Sequence, residues 1–113
     1  MAAITGDNLR GHLEALVLSA LKRGEGHGFE ILKRLEAAGS GALKLKEGSL
    51  YPALYRLEEA GLIEGTWEME STRRGPRRRV YALTRKGKGR LEEARVEWET
   101  FVRVIGGILR AAT

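Results

Sequence analysis

Apolar residues along the chain recur in two different periods, and the places where the period changes divide it into elements. Leu9, Leu13, Leu16, Val17, Ala20 and Leu21 recur at helical spacing, with Asp7 or Asn8 placed to cap this first helix and Lys22, Arg23 and Gly24 at its end. Ile31, Leu32, Leu35 and Ala38, with Phe29 near the start, predict a second helix from about His27 to Ala38, closed by Gly39 and Gly41. Leu43 and Leu45 then alternate with Lys44 and Lys46, the pattern of a short extended segment. The third helix is written in EGSLYPALYRLEEAGLIE, residues 47–64. Leu50, Ala53, Leu54, Leu57 and Gly61 fall on one side of it, and Ser49, Pro52, Tyr55, Arg56 and Glu59 fall on the other. Ser49 is the expected cap, Pro52 the first-turn proline that needs no N–H, and Gly61 the stop.

Beyond Gly61 the period shortens to two. Leu62, Ile63, Trp67 and Met69 predict a strand over about 62–70, and Arg79, Val80, Tyr81 and Leu83 a second over about 78–83. Between them, five of the seven residues from Arg73 to Arg79 are arginine, and Gly75 and Pro76 set a turn that projects them. Thr84 offers an N-cap for a last helix reaching about Leu109. On that helix Leu91, Ala94, Trp98, Phe101, Ile105 and Ile108 are spaced 3, 4, 3, 4, 3, the seam of a coiled coil. A stripe of that length predicts a homodimer, with Val102 and Leu109 widening it toward the chain's own first helix.

Three helices, a β-ribbon and a long helix make a mainly α chain with a small β-ribbon (α+β), in the order of a winged helix-turn-helix. Residues 1–84 are the expected DNA-binding domain and 85–113 the C-terminal dimerisation helix, together one compact unit of 113 residues. Charge sharpens this reading. The net charge is +5, but residues 1–40 sum to zero, 41–70 to −3, 71–90 to +9 and 91–113 to −1. The whole excess therefore sits on the ribbon tip and its continuation, as a polyanionic partner requires. Arg73, Arg74, Arg77 and Arg78 are the candidate phosphate ligands, and Lys44 and Lys46 count among the DNA-facing cations just ahead of the third helix. The competing reading is a winged-helix module that binds an acidic protein, which arginine-rich phosphate geometry disfavours.

Other chemistry finds little support. Glu58 and Glu59 are adjacent on a helix and point about 100° apart, wrong for a paired general acid and base. His12 and His27 share no metal-ligand spacing with another ligand, and cysteine is absent. The loop from Gly24 to Gly28 follows a helix, not the strand that precedes a phosphate cradle. No enzyme, cofactor or metal is expected. The N-terminus lacks the order of a signal peptide and no apolar run approaches the roughly 20 residues of a membrane span, which places the chain in the cytoplasm. Trp67 is expected to pack on the helices, and Trp98 to meet its symmetry mate and flank a flat apolar slot.

The words HLEALVLSAL, GHGFEILKRLE, EGSLYPALYRLEEAGLIE and RRRVYALTRKGKGRL are similar, in order and spacing, to the PadR family of bacterial transcriptional regulators. The resemblance covers about residues 9–109 and is most specific in SLYPALYRLEEAGLI after HGFEIL. It implies a winged-helix homodimer that represses promoters at a pseudo-palindromic operator and responds to a small, often planar aromatic effector. Carried onto matching positions, it implies that Ser49, Tyr51, Pro52, Tyr55 and Arg56 contact DNA and that Gly28 approaches phosphate. A single C-terminal helix resembles the family's short branch; apart from that resemblance, the place of Trp98 in the middle of the dimer seam makes it the candidate effector contact.

Overall fold

The computed structural model describes residues 11–69 and 75–112. Its elements are α1 (Leu13–Leu21), β1 (Gly26–His27), α2 (Gly28–Ala38), α3 (Glu47–Glu59), β2 (Ile63–Trp67), β3 (Arg79–Leu83) and α4 (Arg85–Ala111). The first three helices enclose the core. Val17, Leu18 and Leu21 of α1, Ile31 and Leu35 of α2, and Leu50, Leu54 and Leu57 of α3 are nearly or completely buried. Leu43 and Leu45 are buried too, while Lys44 and Lys46 between and after them are exposed, so the predicted alternation holds.

Several boundaries differ from expectation for local reasons. The first helix begins only at Leu13, because Gly11 takes φ +86° and forms a turn with His12. Asp7, Asn8 and Leu9 lie outside the described residues. At the other end of α1, Arg34 of α2 donates to the carbonyls of Ala20, Gly24 and Glu25, at 3.2, 2.9 and 2.8 Å. The glycine-rich loop is thus the seat of a guanidinium and not a phosphate cradle. α2 opens with a capping box in which His27 Nδ1 accepts from the Glu30 N–H and Glu30 Oε1 accepts from the His27 N–H. It closes through Ser40, whose φ of +53° puts a non-glycine residue in the left-handed region ahead of Gly41 at +79°.

α3 starts three residues earlier than predicted. Lys46 is its N-cap and makes no side-chain cap bond, so Ser49 is an interior first-turn residue and Pro52 falls in the second turn. The stop is as predicted. Gly61, at φ +75°, donates to the Glu58 carbonyl and Leu62 donates to that of Leu57, both at 3.0 Å, the paired bonds of a Schellman motif. Gly61 itself is exposed and not part of the buried face.

The sheet has a strand that periodicity did not predict. β1 pairs antiparallel with β3 (His27↔Val80), and β3 pairs with β2 (Ile63↔Leu83 to Trp67↔Arg79), giving the order β1-β3-β2. On one ribbon face Ile63 and Tyr81 are buried in the core, but Trp67, two pairs further out, is 59% exposed. The expectation that Trp67 packs on the helices is therefore wrong, since the ribbon outruns the core before it reaches that residue.

α4 is docked by its first turn. Thr84 caps it, accepting from the Gly87 N–H at 3.0 Å, and Thr84 Oγ1 donates to the Gly61 carbonyl at 2.7 Å. Lys86 Nζ donates to the Ala60 carbonyl at 2.9 Å. The C-terminal end of α3 is thereby held to the start of the long helix.

Candidate nucleic-acid interface

The two sides of α3 are sharply divided. Leu50, Ala53, Leu54 and Leu57 are at most 1% exposed, whereas Tyr51, Pro52, Tyr55 and Arg56 are exposed and Ser49 is half-buried. Apart from Gly61 and the half-buried Ser49, the predicted faces are the observed ones. Burial of the apolar side fixes the helix rotation, so the polar side has a defined presentation. Arg56 Nε donates to Glu14 Oε1 of α1 at 2.7 Å, a cross-element pair that side-chain periodicity could not reveal.

The wing lies beside the start of this helix. Gly75, at φ +108°, and the exposed Pro76, Arg77 and Arg78 form the described part of its tip, while Arg73 and Arg74 lie outside the described residues. Glu68 and Arg78 pair through their backbones, with Glu68 N–H donating to the Arg78 carbonyl, and the Arg78 N–H donates to Glu68 Oε2, both at 3.0 Å. Arg78 Nη1 reaches within 2.7 Å of His27 Nε2, bringing the tip onto the start of α2. Arg77 is left projecting.

Arg79 is used differently from its neighbours. Its Nη2 donates to Glu58 Oε2 at 2.5 Å and its guanidinium lies 5.3 Å from the Trp67 ring centroid. The hydrogen bond to Glu58 raises the Arg79 pKa further above its ordinary range, burial working against it. Gly65 makes room for this pair, because a Cβ there would stand 2.6 Å from Arg79 Nε and 2.9 Å from Glu58 Oε1. Gly28 has a similar local cause. It is buried, and a Cβ would stand 2.6 Å from the Tyr51 hydroxyl, so close packing of α2 under α3 accounts for this glycine without a phosphate.

His27, Phe29, Tyr51, Trp67, Arg77 and Arg78 line an open cleft of about 470 Å³ between wing and helix starts. Exposed aromatic rings interleaved with guanidinium groups suit a sugar–phosphate backbone, which offers both apolar edges and anions. His27, Phe29 and Trp67 were not singled out for this surface from the sequence. The signal for them is tertiary, arising when β1 brings the start of α2 against β3.

A second feature lies along α4. Leu91 and Ala94 are half-buried, with Leu91 packed on the chain's own core, but Trp98, Phe101, Ile105 and Ile108 are exposed. Trp98 and Phe101 stack, with centroids 5.6 Å apart and planes 15° apart, and His12 meets Trp98 edge-on. Among the described residues no cluster of potential ligands could hold a metal ion, and no helix is long and apolar enough to cross a membrane.

Comparison with known proteins agrees with this arrangement. Among solved structures, a transcriptional regulator from Clostridium thermocellum is 31% identical and superposes with a TM-score of 0.82, over 93% of this chain and 97% of that one. A PadR-like transcriptional regulator from Bacillus cereus is 34% identical, with a TM-score of 0.75 over 92% and 97% of the two chains. A PadR family regulator from Clostridium difficile is 33% identical, with a TM-score of 0.74 over 88% and 99%. No curated protein gives a significant match. Residues 17–93, from the buried side of α1 through the wing to the docked start of α4, match the transcriptional regulator PadR-like family. PadR-like regulators bind DNA and are not enzymes. With more than half of its length matching the family and its whole fold superposing on solved members that are 34% and 33% identical, the chain belongs to the PadR-like family of transcriptional regulators.

Proposed function

We propose that the chain is a homodimeric repressor which reads a pseudo-palindromic operator and is released from it by a small planar aromatic compound. α3 enters the major groove, with Tyr55 and Arg56 toward base edges and Ser49, Tyr51 and Pro52 nearer the backbone. Lys44, Lys46, the N–H of Gly28 and the wing residues Arg73, Arg74, Arg77 and Arg78 hold phosphates on either side. The observation that carries this reading is the division of α3, whose fully buried side leaves Tyr51, Tyr55 and Arg56 outward, with Tyr51 lining one cleft together with the exposed Arg77 and Arg78.

Dimerisation through residues 85–113 is supported by the exposed run of Trp98, Phe101, Ile105 and Ile108, widened by the exposed Val102 and Leu109. Such a stripe is unfavourable in water and is satisfied by a second copy related by a two-fold axis. The effector reading rests on the Trp98–Phe101 stack, a flat apolar surface that a planar ring extends. Its place of action is the cytoplasm, where chromosomal DNA is accessible. A gel-shift series over the upstream region of the chain's own gene, with salt varied, tests the proposal. Tight binding to one segment over random DNA supports it. Equal binding to all sequences overturns it, and capture of an acidic protein with no DNA binding would replace it by the protein-interaction reading.

A further inference from the structure

We infer that Glu14 of α1 is a positioning residue for DNA recognition, holding Arg56 so that the outer edge of its guanidinium faces the bases. This rests on the proposed role of α3. A carboxylate beside a surface meant for phosphates is unfavourable for binding, so its presence there needs a reason. Stability is a poor one, because both partners are about half exposed, 56% for Arg56 and 47% for Glu14, and exposed pairs of this kind contribute little. Its place in the first turn of α1 brings some helix-dipole stabilisation, but that requires no partner on α3.

The bond itself is informative. Glu14 Oε1 accepts from Nε of Arg56 at 2.7 Å, and this is the one hydrogen bond that Arg56 makes through its side chain among the described residues. The pair spans 42 positions of sequence, joining two helices whose packing is fixed by the core. Holding Nε removes much of the freedom of a long side chain, while the two terminal nitrogens keep their N–H groups. Those are the donors that grip O6 and N7 of guanine side by side. Glu14 orders Arg56 before DNA arrives, and the ordering cost is met in the free protein.

The test measures operator and random-DNA affinity at fixed salt for wild type, E14A, E14Q, R56A and the E14A/R56A double variant, with thermal melting to verify folding. R56A should lower the operator-to-random ratio by about tenfold or more. E14A should lower the same ratio several-fold while raising random-DNA affinity, since it removes a negative charge. E14Q keeps an acceptor for Nε and should retain most of the ratio. In the double variant, loss of Glu14 should add nothing to loss of Arg56. If R56A lowers the ratio and E14A does not, or if E14A lowers it equally in the R56A background, the positioning role is overturned and the α3 reading stands. An unchanged ratio in R56A overturns the base-reading role of Arg56, and this inference with it.

Discussion

The imidazole of His12 meets the indole of Trp98 edge to face, with centroids 5.3 Å apart and planes inclined by 74°. Because Trp98 also stacks on Phe101, one edge of the indole touches the chain's own α1 region while 50% of the residue stays open to a partner. The aromatic group is therefore held in place before any association, which reduces the entropy lost when a second copy arrives. Trp98→Ala should weaken dimerisation by about 2 kcal/mol, near 30-fold in Kd, as large aromatic anchors typically do. Sedimentation equilibrium over a concentration series checks this, and a wild-type chain that stays monomeric at micromolar concentration refutes the dimer.

Gly87 sits where the first turn of α4 crosses the end of α3. A Cβ at this position would lie inside the Leu62 carbonyl, with Leu83 Cδ2 3.1 Å away. Helix propensity favours Gly87→Ala by about 1 kcal/mol, but a clash with backbone cannot be relieved by a rotamer change. Overpacking should win, giving a net destabilisation of about 1–3 kcal/mol in urea denaturation. Gly89, which has open space around it, is the control, and Gly89→Ala should be neutral or stabilising.

The first three helices were legible in the sequence because each buries one stripe, and Leu50, Ala53, Leu54 and Leu57 announce theirs at the right spacing. Thr84 was legible as a cap because its hydroxyl acts within three residues. Ser49 misled because the helix begins where the extended backbone of Lys46 ends, without any side-chain cap, which leaves the serine inside the first turn. β1 left no trace, since two residues carry no period and Gly26 and His27 become a strand only through pairing with Val80 and Tyr81. Trp67 reads as a core aromatic, yet whether it is covered depends on where the helices end relative to the ribbon. In the same way the exposed face of α3 could be read from spacing, while the Glu14–Arg56 and Arg78–His27 contacts could not.

Burial holds the Tyr81 phenol above its ordinary value of 10.0, with the positive charge of Arg79 opposing the shift. A phenol whose folded value is raised stabilises the protein fully below the unfolded value, and that contribution is lost as pH rises through the folded one. The urea midpoint should therefore fall above about pH 10, and Tyr81→Phe should flatten that fall by removing the titrating group. Equal alkaline slopes for the two proteins would show that Tyr81 is not responsible.

The wing and α3 should fail in different ways when altered. Arg77 projects from the tip, so a contact it makes to phosphate carries no sequence information. Arg77→Ala should weaken operator and random DNA alike and lower the slope of log affinity against log salt by about one unit. Tyr55, 66% exposed at the middle of the presented face, carries no charge and releases no counterion. Its ring suits a thymine methyl or a base edge, so Tyr55→Ala should cost about 1–3 kcal/mol on the operator, leave the salt slope unchanged and affect random DNA much less. Arg78→Ala separates contact from architecture, because Arg78 also reaches His27 and so ties the tip to α2. A larger loss for Arg78→Ala than for Arg77→Ala, at the same change in salt slope, would mean that the tie presents the tip as well as charging it. Equal reductions of both affinities by Tyr55→Ala would mean that α3 does not read bases at this position, and that sequence choice comes from the deformability of the DNA.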